Sequence, residues 1–435
     1  VAGLECAPRR WDSAVRALLY LPILLPAVLW VVGLYALGLW LRWEGQWPAL
    51  LLAHTSVVCA RTSQAPTESA APLADTGHQA LIDLLDPQGF VLLGQTETHS
   101  HAAATVQPAA EPHLINLRQL TFGGDNAEAY WSFDSKAITF QSNFKQWGVQ
   151  CDQIFTSPVK KMGKDTARKS ALVSTGLGRT TCSYFMPDNK HILYASTHEG
   201  DADCPPTPES NGKYVWAIYS NFDIYVADLK GNITQKLTNT PGYDAEGTVS
   251  PDGKSIVFTS TRTGDLELWI MDIDGNNQRQ ITTGLGYDGG AFFSPDSKKL
   301  VFRASRPQTE EEITKYKDLL SRGLVEPTNM EIYTCNVDGS DLKQVTQLGK
   351  ANWAPFYHPA GKKILFSSNH HSKRGYDFQL YMINEDGTGL ERITNESMFN
   401  AFPMFSPDGK QLIFSSNRRN HGTRDTNLFL ADWVD

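Results

Sequence analysis

The sequence lacks the marks of several large function classes. Basic side chains are in deficit, 39 Lys and Arg against 47 Asp and Glu for a net charge of −8, so nothing in the charge balance points to nucleic acid as a partner. No GxSxG stretch occurs, which removes the nucleophile elbow of α/β-hydrolase chemistry. The six cysteines form no CxxC and no His/Cys spacing that suits zinc. At 41% hydrophobic and 20% charged, the composition excludes wholesale disorder, collagen and a polytopic transporter. Its 435 residues are enough for two or three domains or one large repeat array. A local scarcity stands out against this average: no charged side chain lies between Ala17 and Leu41.

Those 25 uncharged positions would cover roughly 37 Å as a helix, enough to span a bilayer. Pro22 and Pro26 lie inside the run; they would break a soluble helix but are tolerated in lipid. Trp40, Trp43 and Trp47 cluster at its far end like an interfacial belt. Arg9, Arg10 and Arg16 precede it, so the positive-inside bias keeps the N-terminus cytoplasmic and exports the chain beyond the span. The apolar stretch is longer than a usual signal-peptide core, which favours retention. Lipid modification of Cys59 is a weaker alternative, because Val58 is a poor neighbour for such a cysteine. The expected organisation is a cytoplasmic segment over 1–16, a transmembrane helix over 17–43, an Ala/Thr/Pro/Gln/Ser-rich linker over 44–112 and a repeat domain over 113–435.

The repeat is countable. An LT-type dipeptide, an apolar strand, an SPDGK-like turn, a second strand, a third strand and a DG turn recur six times. The aligned turn positions Asp134, Asp188, Asp252, Asp296, Ala360 and Asp408 are separated by 54, 64, 44, 64 and 48 residues. Each unit predicts a four-stranded antiparallel meander with Pro-Asp-Gly turns. One such sheet cannot bury both faces, so six arranged radially make an all-β, six-bladed propeller. The last unit stops after its third strand, and an unassigned strand over residues 114–121 is expected to complete it and close the ring.

These SPDGK, DG and LT motifs resemble those of the TolB-like β-propeller family, and the resemblance spans about Leu114 to Asp435. It implies the fold and an exported protein. Activities within such families vary too widely for one to be implied here.

In a meander blade the connections into the inner strand and out of the second strand share one face. Eight residues before each aligned turn position stand Asn126, Thr180, Asp244, Asp288, Asn352 and Asn400, all polar. Two residues further in come Glu128, Cys182, Glu246, Gly290, Ala354 and Phe402. Inner strands line the axial channel, so a ring of oxygens is expected at one mouth, with Glu128 and Glu246 beside it. Such a set suits Ca²⁺, although Asn and Asp also cap turns and hold channel water whatever the function. Loops on the same face carry His198, Arg262, Arg303, Arg306, His370, His371, Arg418 and Arg419. A histidine beside a metal-bound water could act as general base, while solvated or ion-paired loop side chains are the plainer reading.

Two insertions enlarge this face. Residues 199–221 contain CPPTPESNG, and residues 307–327 predict a helix with Thr309 as N-cap, acids in its first turn and Gly323 as its stop. In an oxidising compartment Cys182 and Cys204 are expected to pair, with Cys151 as the rival partner, while Cys335 falls in a strand as a buried thiol. The leading expectation is therefore a membrane-anchored, extracytoplasmic propeller that binds other subunits of a membrane complex. A channel-cation-dependent ester or lactone hydrolase is the alternative.

Overall fold

The computed structural model describes residues 110–164, 169–206, 208 and 214–435. The expected membrane helix, with Pro22, Pro26, Trp40 and Trp43, lies outside the described residues, as do Cys59 and the linker to residue 109. Among the described residues no helix is long and apolar enough to cross a membrane.

Six four-stranded antiparallel sheets form the domain. Their inner strands are Asn126–Trp131, Thr180–Phe185, Asp244–Val249, Asp288–Phe293, Asn352–Tyr357 and Asn400–Phe405, which define blades 1 to 6 in chain order. Blade 6 takes its second and third strands from Gln411–Ser416 and Asn427–Trp433, and its outer strand from Leu114–Gln119 at the other end of the domain.

Two pieces of repeated chemistry build each blade. At the first turn, Ser250 Oγ donates to Asp252 and accepts from the backbone N–H groups of Lys254 and Ser255, while Gly253 takes a φ of 72°. Ser132, Ser294 and Ser406 repeat the bond to their own Asp134, Asp296 and Asp408. The LT dipeptide does the second job. Thr282 Oγ1 donates to Glu267 and accepts from the N–H of Leu268, so one hydroxyl ties the outer edge of the blade to the start of its third strand. Thr238, Thr346 and Thr394 do the same, and Ser174 substitutes in blade 1. In blade 6 the hydroxyl comes from Thr121, which donates to Asn427 and accepts from Leu428 N–H. The first LT of the repeat region thus serves the last blade.

Neighbouring blades pack sheet against sheet. Val257, Leu268 and Ile270 of blade 3 meet Ala291, Phe293, Leu300 and Phe302 of blade 4 in one buried cluster. Blades 5 and 6 are joined through Leu365, Leu380 and Met382 against Phe405, Phe414 and Phe429. Alternating apolar positions on both faces of the second and third strands make this possible.

One irregularity is repeated six times and aims the channel side chains. Each inner strand slips register against its neighbour after its second residue. The residue at the slip has positive φ: Glu128 at 53°, Cys182 at 47°, Glu246 at 60°, Gly290 at 58°, Ala354 at 47° and Phe402 at 55°. A bulge of this kind turns its side chain out of the pleat.

The insertions meet each other. Trp216–Ala217, from blade 2, pairs with Leu324–Val325, from blade 4, as a separate two-stranded sheet. The intervening helix runs over Glu310–Ser321, with Thr309 and Glu312 forming a capping box and Gly323 at a φ of 67° just past its end.

Candidate functional site

The six polar residues expected to ring the mouth are between 0 and 1% exposed, and each is bonded within its own blade or to the preceding one, although Asn126 Oδ1 and Asp288 Oδ2 keep no partner. Asp244 accepts two hydrogen bonds from Arg262, at 3.0 and 2.9 Å. Asp288 pairs with Arg306. Asn400 accepts from Ser416 and Arg418, and Asn352 accepts from Ser368. Asn126 donates to three backbone carbonyls, those of Gly123, Gly124 and Thr426. Thr180 donates to the carbonyl of Asp152. The partner of the aspartates lies 18 residues downstream, where His198 and His370 stand in blades 2 and 5 and bond to Ser196 and Ser368. The expected convergence of these oxygens on the axis is therefore corrected. Ladder pairing at the first residue of each inner strand holds the side chain against its own second strand. Burial raises the Asp244 carboxyl and pushes that of Asp288 up to about 7, against the lowering pull of Arg262 and Arg306. Burial lowers both His198 and His370, which keeps them uncharged at neutral pH.

What reaches the axis is the bulge ring. Glu246 is buried and saturated: Arg303 and Tyr287 reach its Oε1 at 2.5 and 2.6 Å, while Thr259 and the Gly290 N–H reach Oε2 at 2.8 and 2.7 Å. Burial alone would raise its carboxyl, but Arg303 and these donors outweigh it and hold it below the usual range. Gly290 is required here, since a Cβ would sit 1.8 Å from the Arg303 Nη1 atom. Glu128 is different. Its Oε2 is enclosed without a hydrogen-bond partner. Burial pushes its carboxyl up to about 7, with the nearby Glu246 charge adding and the Cys182 hydrogen bond opposing. Burial and the Glu128 charge likewise drive the Cys182 thiol well up, so that it is not a thiolate nucleophile at neutral pH.

Two residues further along the inner strands, aromatic rings close the channel. Tyr130 packs on Tyr184 and Phe292 with ring centroids 5.7 and 5.5 Å apart, and Phe292 packs on Phe356 at 5.3 Å. The cup is therefore blind. On the opposite side the insertion sheet covers blades 4 and 5: Trp216 lies 5.1 Å from the Arg303 guanidinium and 5.0 Å from Trp353, whose indole donates to Pro327. Glu128, Cys182 and Phe402, on blades 1, 2 and 6, retain partial exposure.

Cys151 is bonded to Cys204, with Cα atoms 6.1 Å apart, and Cys182 is a free thiol. This corrects the expected Cys182–Cys204 pairing. The bulge sends Cys182 toward the axis, whereas Cys151 and Cys204 both approach the Gly178 carbonyl, at 3.2 and 4.0 Å. Cys335 is buried in the strand Met330–Asn336. His371 faces Tyr381 and Asp377, and Arg419 lies over Phe429. Among the described residues no group of three or more His, Cys, Asp or Glu could hold a metal ion.

Sequence reasoning aligned the six bulge positions without foreseeing the bulge, and it missed the aromatic floor and Trp216. The floor has a signal, an aromatic residue four positions into the inner strands of blades 1, 2, 4 and 5. Trp216 has none, because its position depends on two insertions meeting.

Residues 214–321 match the family described as the TolB beta propeller domain, and the propeller is TolB-like. No match is found among curated proteins. Similar solved structures include a putative TolB from Agrobacterium tumefaciens, 20% identical, covering 72% of this chain and 91% of that one with a TM-score of 0.47. TolB from Acinetobacter baumannii is 20% identical over 72% of this chain and 64% of that one, with a TM-score of 0.43. An oligogalacturonate lyase from Vibrio parahaemolyticus is 10% identical over 76% and 94%, with a TM-score of 0.43.

Proposed function

We propose that this chain, a TolB-like propeller, is a membrane-anchored protein-binding subunit whose propeller lies outside the cytoplasm and docks other subunits of a membrane-associated complex. The observation that carries this reading is the distribution of exposed apolar side chains. Among the described residues the three largest exposures of large hydrophobic side chains, 59% at Tyr214, 53% at Tyr376 and 52% at Met398, all fall in connections on the covered mouth face. Monomeric proteins seldom gather such side chains on one face without a partner. The uncharged run Ala17 to Leu41 supports the tether.

The test is affinity capture of the full chain in mild detergent, beside a Tyr214→Asp, Tyr376→Asp double variant. A partner held by the parent and lost from the variant is the expected result. A parent that elutes alone, or a variant that holds the same partner, overturns the docking face. The alternative, a channel-cation-dependent hydrolase, is decided by metal analysis of the purified chain and turnover of aryl esters with and without Ca²⁺.

A further inference from the structure

The blind cup is unevenly furnished. Of its two carboxyls, Glu246 has a donor on each oxygen and a guanidinium beside it. Glu128 keeps an enclosed oxygen with no partner. The insertion sheet shields the Arg303 side of the mouth through Trp216, and the accessible side is the one where Glu128, Cys182 and Phe402 stand on adjacent blades. Two residues along the same strand, Tyr130 lies near enough to feel the Glu128 charge and packs on Tyr184. A carboxyl with one oxygen lacking a donor, close to an aromatic ring, is complementary to an organic cation: the ammonium supplies a missing donor, and the ring supplies cation–π attraction. A hard metal ion would need several further oxygens, and those of Asp244, Asn352 and Asn400 are committed to their own blades.

We propose that this cup receives a primary ammonium group, a lysine side chain or an amino terminus of the docked partner, with the nitrogen at the Glu128 carboxylate beside Tyr130. The assignment rests on the docking reading and names what the partner inserts. The groups facing Glu128 from the other blades are the Cys182 thiol, Glu246, Arg303 and, from its own blade, Asp152. Arg303 is neutralised by Glu246, so entry of one positive charge leaves the cup balanced when Glu128 is ionised. Binding therefore weakens as acid protonates Glu128.

The test uses saturation-transfer NMR on the full chain in detergent, with pentane-1,5-diamine as the probe and pentane-1,5-diol as its neutral counterpart. Saturable transfer to the diamine at pH 8 is expected, at least tenfold weaker at pH 5.5 and in Glu128→Gln, with none to the diol. Phe402→Lys adds a check that does not depend on the first variant folding. It sets an ammonium on the blade beside Glu128, so it should abolish transfer to the diamine without lowering the melting temperature at pH 8. Equal transfer to the diol, undiminished transfer in Glu128→Gln, or diamine binding by Phe402→Lys at the parent's strength overturns the proposal. A chain that captures a partner yet ignores the diamine loses the ammonium site and keeps the docking face; one that binds the diamine yet captures nothing loses the docking face instead.

Discussion

Glu111 and Arg418 lie 307 residues apart and share two hydrogen bonds, Nη1 to Oε2 at 2.9 Å and Nη2 to Oε1 at 3.1 Å, with the Arg418 side chain fully buried. Glu111 Oε1 also accepts from the backbone N–H groups of Asn395 and Glu396 at the junction of blades 5 and 6. The residues just before the outer strand of blade 6 therefore lock the ring where it closes. Truncating Glu111 strands a buried guanidinium, for which the usual cost is about 3–5 kcal/mol. Glu396, at 3.5 Å from the same nitrogen, recovers part of this. Urea unfolding of Glu111→Ala should show a loss of about 2–4 kcal/mol, and a loss under about 1 kcal/mol would mean that the pair does not lock the ring.

Thr121 tests closure from the other side. Thr121→Val removes the donor to Asn427 and the acceptor for Leu428 N–H, which should cost about 1–3 kcal/mol. Thr238→Val makes the same cut inside a blade of continuous sequence and is the internal standard. If Thr121→Val is silent while Thr238→Val is not, the ring is not held by its N-terminal strand.

The Cys151–Cys204 bridge spans 53 residues, a loop whose closure is worth roughly 2–4 kcal/mol. Reduction should lower the melting temperature in parallel with Cys151→Ser. Free Cys182 and Cys335 should resist thiol reagents in the native oxidised chain and react once it is unfolded, since burial raises both thiols. Mass spectrometry finding Cys182 bridged to Cys204 would contradict this arrangement.

Glu128 gives a pH signature with a definite sign. Its folded value lies near 7, above the ordinary 4.5. Between those values the native state holds a proton that the unfolded chain has released, so this residue's contribution to stability falls as pH rises from about 4.5 to 7 and stays low above that. Glu128→Gln should accordingly be more stable than the parent at pH 8, by up to about 3 kcal/mol. The gap should vanish near pH 4. Parallel stability curves for the two proteins would refute the assignment.

Much of the architecture is readable in the chain because its determinants are local and repeated. The Ser-Pro-Asp-Gly turns bond within five residues, and the LT hydroxyl reaches only to the facing strand start. Thr309 with Glu312 announces the inserted helix for the same reason. The number of blades and the unpaired strand needed to complete the sixth come from counting those units.

The site could not be counted in this way. Asn126, Asp244 and Asp288 read as channel oxygens, yet ladder pairing turns them into their blades, while a bulge two residues later sends Glu128, Cys182 and Glu246 to the axis. Which sulfur meets Cys204, which guanidinium neutralises Glu246 and what Trp216 covers depend on where separate blades bring their side chains. A repeat dictates the shape of each blade from its own residues. The chemistry at the axis is decided by radial convergence, because it sums one unlike side chain from each of six blades.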